Sequence, residues 1–273
     1  MIATRVAEWM LRTTARGGFP RARRFIWTRF YDLLATRWTD PRWCFMNYGW
    51  LPPGEGFRLP PEEEADRPFI GLYQQAIQGV ELEGAQLLEV GSGRGGGAAW
   101  MARCAGVASV TGVDRSGRTV TLASRLHADQ PGLAFRIGDA EALPFPDASF
   151  DGVVNIESSH CYGSMPRFTA EVFRVLRPGG WFAWADMRAP DMLPDLDRAF
   201  AEAGLVLEAE NDLTAGVVRA LEVTEARKQD VLNKLVLFPP LAREFAGMQG
   251  SLLEGALRRG QVVYLARRFR RPA

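Results

Sequence analysis

Three acidic residues stand at or near the ends of short apolar segments in the middle of the chain. Glu89 is the penultimate residue of the first segment, Asp114 ends the second, and Asp139 follows the third after one glycine. We expect these segments to be parallel strands, whose carboxyl ends meet at the edge where open α/β sheets bind ligands. Carboxylates at that edge can accept hydrogen bonds from the hydroxyl and amino groups of a polar ligand.

A glycine-rich loop, Glu89–Gly97, spans the end of the first segment. Glycines allow the backbone to approach a ligand closely and to adopt turns that other residues resist. Gly91, Gly93 and Gly96 also satisfy the dinucleotide pattern GxGxxG, so the loop alone would fit a nicotinamide cofactor. Asp114 suits the ribose hydroxyls of either class of cofactor. The loop and Asp114 together therefore do not decide which class of cofactor binds.

The segment Gly138–Ala140 discriminates between these interpretations, because Asp139 can accept from an adenine amino group while the Ala140 amide donates to the ring. With it, the chain resembles the class I S-adenosylmethionine-dependent methyltransferases over roughly residues 85–187. The motifs that carry the resemblance are Glu89-Val-Gly-Ser-Gly93, Val113-Asp114, Gly138-Asp-Ala-Glu-Ala-Leu-Pro-Phe145 and Arg174-Val-Leu-Arg-Pro-Gly-Gly180.

The resemblance implies S-adenosylmethionine as the cofactor, with no metal. It places Glu89, Gly91 and Gly93 at the methionine end of the cofactor, Asp114 at the ribose and Asp139 at the adenine. Ser92, Arg115, Ala140 and Asn155 complete the expected cofactor-binding set.

The segment Asn155–Tyr162 follows the fourth predicted strand and should face the methyl group that is transferred. His160 suits a general base, because a histidine titrates near neutral pH. Glu157 would orient the imidazole or a substrate hydroxyl. Two alternatives stay open: His160 as a structural residue of the turn, and a Glu157/His160 pair that stabilises a carbocation during methylation of carbon.

The resemblance extends further through Asn47-Tyr48 and residues 243–250, and is nearest to the phthiotriolone-type O-methyltransferases. Sterol and tocopherol C-methyltransferases are more distant. This implies a lipophilic small-molecule acceptor, methylated on a hydroxyl oxygen of a polyketide-like or lipid-like metabolite. The alternatives are a C-methyltransferase and a non-methylating cyclase or binding protein that only holds S-adenosylmethionine. The predicted substrate contacts are Tyr48, Trp50, Tyr162 and Gln249.

Strands and helices alternate from Gln86 onward, which is typical of a parallel sheet covered on both faces. We predict an α/β fold with a Rossmann-like, doubly wound, mostly parallel seven-stranded sheet whose last strand is antiparallel. An N-terminal helical cap and a helical lid insertion add to it. The predicted divisions are residues 1–80 (helical and aromatic cap), 81–211 (cofactor-binding core), 212–258 (helical lid) and 259–273 (final strand).

Composition excludes several function classes. The net charge of +1 gives no field that would attract nucleic acid. The three cysteines form no CxxC pair and the two histidines are too few for a histidine-rich metal centre, so a reducing cytoplasmic setting fits best. The arginine-rich, aromatic N-terminus suits a cap or a peripheral membrane contact. His127 is predicted to be solvated, and the oligomeric state is left open, a homodimer included.

Overall fold

The computed structural model describes residues 39–54, 56–232 and 246–273, with Arg29, Asp32, Ala35, Thr36, Arg243 and Glu244. Apart from those isolated positions, residues 1–38 of the predicted N-terminal cap lie outside the described residues. No helix of the described part is long and apolar enough to cross a membrane.

The described chain forms one mixed seven-stranded sheet in the order β3-β2-β1-β4-β5-β7-β6. Strands β1 to β5 are parallel, and β7 runs antiparallel between β5 and β6. The strand order reverses between β1 and β4, which is where such sheets open a ligand-binding crevice. The predicted fold class is confirmed. The strands are β1 Gln86–Val90, β2 Ser109–Asp114, β3 Leu133–Ile137, β4 Phe150–Ile156, β5 Leu176–Arg188, β6 Val206–Asp212 and β7 Val263–Arg270.

Helices connect and flank these strands, and several begin at serine caps. Ser116 accepts a hydrogen bond from the Thr119 amide, and Ser164 and Ser251 make the equivalent bonds at two later helices. Such caps satisfy amides that have no partner within the helix. The described α-helices are α1 Arg67–Ala76, α2 Gly96–Arg103, α3 Gly117–Leu126, α4 Met165–Val175, α5 Leu193–Glu202, α6 Thr214–Leu232 and α7 Leu252–Arg258.

Apolar side chains cover both faces of the sheet. Neighbouring strand residues point to opposite faces, so Leu87 and Val154 pack in one cluster with α1, α2 and α6. Leu88 and Val153 pack in the other, with α4 and α5. The central strands are therefore buried on both sides, and their carboxyl ends remain the place where polar side chains can converge.

Two predicted boundaries differ from the structure. The apolar run that starts at Trp181 predicts the beginning of β5 there. The strand begins at Leu176 instead, because Leu176 pairs with Phe150 across an irregular register. The helical periodicity predicted from Asp212 to about Leu257 is divided between α6 and α7 within the described residues. Periodicity alone does not show where a helix ends.

Helix α6 holds the aromatic segment 39–50 against the sheet. A Cβ atom at Gly216 would lie 2.1 Å from Trp50 Nε1, so only glycine lets the helix approach the indole this closely. The Arg219 guanidinium donates to the Leu51 carbonyl at 2.9 Å. The Arg227 guanidinium lies 5.2 Å from the centroid of the Trp43 ring. The segment is thus fixed between α6 and the glycine loop.

Candidate active site

The glycine loop turns at the carboxyl end of β1 through left-handed backbone conformations. Gly91, Gly93 and Gly95 have φ values of +77°, +52° and +84°, which glycine adopts without a Cβ clash. The amides of Gly91 and Ser92 both donate to the Val113 carbonyl, at 2.8 and 3.0 Å. A Cβ atom at Gly91 would lie 2.3 Å from Ser158 Oγ. The loop is therefore held against both β2 and the segment after β4.

Asp114 and Asp139 lie on one side of the cleft above this loop. Asp114 accepts from the amides of Gly93 at 3.0 Å and Ser116 at 2.9 Å, which fix its carboxylate at the end of β2. Burial raises the pKa of Asp114. Asp139 accepts from the Glu141 amide at 3.0 Å. The cleft wall includes Gly91, Ser92, Gly93, Asp114, Arg115, Asp139 and Ala140.

Glu89 lies beneath the wall of the cleft, 1% exposed. Its Oε1 atom accepts from the Tyr73 hydroxyl at 2.6 Å. Tyr73 has room to reach it because a Cβ atom at Gly97 would lie 1.9 Å from Tyr73 Cζ. Burial raises the pKa of Glu89 to about 8, so a cationic ligand group would favour its ionised form.

Three buried side chains of the described residues near the glycine loop each carry an unpaired polar atom. Among the described residues, Glu89 Oε2, Ser92 Oγ and Asn155 Oδ1 have no hydrogen-bond partner. Buried polar atoms are normally paired, so these atoms are suited to hydrogen bonds with a polar ligand. The amino acid end of S-adenosylmethionine, the cofactor that the resemblance implies, carries an ammonium group that suits Glu89. The empty volume of the cleft is about 970 Å³, open solvent included.

Glu157 belongs to the cleft wall, as Tyr162 does, and its φ is +48°. Its Oε2 atom accepts from the Tyr48 amide and from the Tyr264 hydroxyl, both at 2.9 Å. Burial raises the pKa of Glu157 to about 8. The role predicted for Glu157, orienting the His160 imidazole or a substrate hydroxyl, stays a prediction, because these two donors hold its Oε2 atom while another acid contacts the imidazole.

That acid is Asp186, at the end of β5. His160 lies in the short 3-10 turn Ser159–Cys161, and its Nδ1 atom is 2.8 Å from Asp186 Oδ1. Asp186 is fully buried and also accepts from the Ser159 hydroxyl at 2.6 Å and the His160 amide at 2.9 Å. The Arg188 guanidinium lies 3.2 Å from Asp186 Oδ2. Asp186 therefore fixes both the backbone and the imidazole of the turn.

The pKa shifts of His160 and Asp186 both favour the charged form of each residue. Burial lowers the pKa of His160, but interactions with Cys161 and Asp186 outweigh burial and raise this pKa well above its ordinary value. Burial would raise the pKa of Asp186, yet His160 and Arg188 hold it below its usual range. At neutral pH the structure therefore favours an imidazolium paired with a carboxylate.

Several predicted residues do not reach the cleft in the described part of the chain. Tyr162 lines it, whereas His160 lies beside the wall without forming part of it. Tyr48 is buried and reaches the site through its amide, and Trp50 packs on α6. Gln249 is exposed, and its amide donates to Glu225 at 3.0 Å.

The prediction that His127 is solvated is wrong. His127 is half-buried at the end of α3, its Nε2 atom lies 3.1 Å from the Arg94 carbonyl, and burial lowers its pKa. His127 thus contacts the back of the glycine loop across 33 positions of the sequence.

Sequence reasoning missed Asp186, Tyr264 and Tyr73. Asp186 did carry a signal, because it follows the apolar run Trp181–Ala185 just as Asp114 follows the apolar residues of β2. Applying the same rule to the fifth strand would have found it. The two tyrosines lie inside a strand and a helix, where neither spacing nor type marks them.

Comparison with known proteins agrees with this geometry. A family model described as a methyltransferase domain matches residues 88–184. The phthiotriol/phenolphthiotriol dimycocerosates methyltransferase of Mycobacterium leprae is 37% identical over 242 residues, 88% of this chain and 89% of that protein. The chain belongs to the class I S-adenosylmethionine-dependent methyltransferases. A fatty-acid O-methyltransferase of Mycolicibacterium smegmatis is also 37% identical, over 81% of this chain and 80% of that protein.

Solved structures of this methyltransferase fold include more distant relatives. The cyclase SpnF superposes with a TM-score of 0.67 at 22% identity, covering 90% of this chain and 94% of that one. A geranyl diphosphate methyltransferase superposes with a TM-score of 0.65 at 18% identity, covering 91% and 99%. At these identities the likeness concerns the fold. In this methyltransferase, S-adenosylmethionine is the cofactor, and no cluster of metal-ligating side chains occurs among the described residues.

The acidic residues of the cleft give a first testable prediction. Asp114→Ala should weaken binding of S-adenosylhomocysteine by about 1–3 kcal/mol, because ligand hydroxyls would lose their buried acceptor. Asp139→Ala should change affinity in the same direction. Calorimetric titration measures both, with Asp195→Ala as control, since the Asp195 side chain is 80% exposed on α5. Unchanged affinity in both cleft variants would contradict the placement of the cofactor.

Proposed function

We propose that this methyltransferase transfers the methyl group to a hydroxyl oxygen of a lipophilic acceptor, with His160 as the general base and Asp186 as its positioning residue. The observation that carries the proposal is the 2.8 Å contact between His160 Nδ1 and Asp186 Oδ1 beside the cleft. Because Nδ1 is engaged by the carboxylate, Nε2 is the nitrogen that would accept the hydroxyl proton. Asp186 would then stabilise the imidazolium that forms.

The remaining residues align the reactants. S-adenosylmethionine supplies the electrophilic methyl carbon when bound. Asp114, Asp139 and Glu89 hold the cofactor, while Glu157 and Tyr162, which flank His160 in the sequence, line the cleft. An in-line displacement needs the acceptor oxygen close to the methyl carbon, and in this proposal the acceptor lies against Glu157 and Tyr162.

Two observations support a lipophilic acceptor. Relatives with 37% identity are named for lipid substrates, dimycocerosate esters in one case and fatty acids in the other. Phe45 and Met46, from the segment under α6, line the cleft together with Ile156. Apolar walls of this kind favour the burial of hydrocarbon.

Product analysis tests the proposal. The protein is incubated with methyl-13C-labelled S-adenosylmethionine and a long-chain secondary alcohol, and in parallel with a phthiotriol ester. We expect a labelled methyl ether, recognised by its carbon shift and by its cleavage under ether-cleaving conditions. A label bonded to carbon would contradict O-methylation.

The pH dependence provides a further prediction. A base must be neutral, and the pKa of His160 is raised, so turnover should rise with pH through a pKa above neutral. Asp186→Asn removes the carboxylate that raises this pKa. Its profile should therefore shift to lower pH, with a lower maximum. Initial rates from pH 6 to about 10 measure the shift, and an unmoved profile would contradict the pairing.

Methylation of carbon is the second candidate, because the buried Glu157 carboxyl lies in the cleft wall. A carboxylate there could stabilise a cation formed when an alkene attacks the methyl group. A protein that only holds the cofactor would instead form product without forming S-adenosylhomocysteine, and the labelling experiment detects this as well.

A further inference from the structure

Lys228 is a buried cation on the inner face of α6. Its residue is 3% exposed, and its Nζ atom has no hydrogen-bond partner among the residues that the structure describes. A buried ammonium without a counterion is strongly disfavoured, so such lysines are rare outside functional sites. Nothing in the cofactor site or in the His160–Asp186 pair uses this charge.

The surroundings of Lys228 connect it to the cleft through Tyr48. Its Nζ atom lies 5.7 Å from the centroid of the Tyr48 ring. The amide of Tyr48 donates to Glu157 in the cleft wall. Burial lowers the pKa of Lys228 to about 8, while Glu157 and Glu225 oppose this. The ring compensates the charge only in part, because a cation–π contact is weaker than an ion pair with hydrogen bonds.

Neither nearby carboxylate completes the pairing. The Glu157 carboxyl accepts from Tyr48 and Tyr264, and Glu225 accepts from the Gln249 amide. In the described part of the chain, neither acid forms an ion pair with Lys228. The position is therefore suited to an anionic oxygen that arrives with a ligand.

We propose that Lys228 binds a carboxylate of the acceptor and so selects lipid acids over neutral lipids of the same length. This inference rests on the lipophilic acceptor of the proposed function and adds the charge of its polar end. The carboxylate would receive a charge-assisted hydrogen bond from Nζ. The ligand would supply the counterion that the fold does not.

Binding rather than turnover tests this inference. The full-length protein, loaded with S-adenosylhomocysteine, is titrated calorimetrically with dodecanoate and with dodecanamide, which differ in charge but not in chain length. The native protein should bind dodecanoate about 10–100-fold more tightly. Lys228→Met keeps the apolar stem and removes the charge, so the preference should disappear through loss of dodecanoate affinity alone. Lys228→Arg should retain most of it.

Arg198→Met is the matched control, because it removes an exposed cation that pairs with Asp195, its side chain 64% exposed. It should leave the preference unchanged. Thermal unfolding and S-adenosylhomocysteine affinity verify that each variant is folded. Equal binding of the two ligands by the native protein would overturn the inference, as would a preference that persists in Lys228→Met.

Methyl transfer to a neutral long-chain alcohol separates this inference from the proposed function. Transfer without any preference for the acid would overturn the role of Lys228 alone. A Lys228-dependent preference without transfer to any hydroxyl would support the role of Lys228 and contradict methylation of a hydroxyl oxygen.

Discussion

His160→Ala is expected to lower turnover by about 10²–10⁴-fold while S-adenosylhomocysteine binds as in the native protein. In the proposed mechanism the imidazole is the base, held by Asp186 beside the cleft, and alanine leaves the hydroxyl proton without an acceptor. The residues predicted to contact the cofactor, Glu89, Asp114 and Asp139, are not changed. Rates with labelled cofactor and calorimetric affinity together measure the effect. Full activity of His160→Ala at every pH would make His160 a structural residue of its turn.

Glu157→Gln is the companion variant, and it distinguishes the two acceptor chemistries. For a hydroxyl acceptor, Glu157 only helps to position the substrate, so Glu157→Gln should lose less activity than His160→Ala. For a carbon acceptor its charge would stabilise the cation, and the loss should equal or exceed that of His160→Ala. Glutamine retains an oxygen that can accept from Tyr48 and Tyr264, so local packing is preserved.

Asp186→Ala is expected to reduce the free energy of unfolding by about 3–5 kcal/mol, the usual result of breaking a buried ion pair from one side. Asp186 is fully buried and compensates His160 and Arg188, whose side chain is 5% exposed. Without the carboxylate, the Arg188 guanidinium would remain buried beside the Trp184 ring. Urea unfolding measured by circular dichroism gives the change.

Asp197→Ala is the matched control for this effect. Asp197 also contacts an arginine, Arg267, but its side chain is 58% exposed and Arg267 keeps a second partner in Glu210. Its loss should cost no more than about 1 kcal/mol, as for other exposed ion pairs. Similar changes in the two variants would show that Asp186 does not compensate buried charge.

Features that depend on residues close together in the sequence could be predicted. Strands β1 and β3 have their predicted ends, because each is a short apolar run bounded by polar or glycine residues. Asp114 and Asp139 line the cleft as predicted, since a residue at the carboxyl end of a parallel strand must lie at that edge.

The partners of His160 and Glu157 required the strand order. Asp186 is 26 positions from His160, and it meets the turn because β4 and β5 pair Ile156 with Ala185. Glu157 meets Tyr48 and Tyr264 across 109 and 107 positions. No local pattern encodes such separations, so the sequence paired Glu157 with His160 and did not indicate that Asp186 contacts the imidazole.

Glu157 combines two features that each work against stability. Its backbone is in a left-handed conformation that suits glycine, at φ +48°, and its carboxyl group is buried where ionisation is disfavoured. Selection for stability alone would favour glycine at this position, because glycine adopts this conformation freely and carries no carboxyl group to bury. Stabilising substitutions should therefore be sought elsewhere in this fold. Replacing Glu157 would relieve the backbone but remove the carboxyl group from the cleft wall.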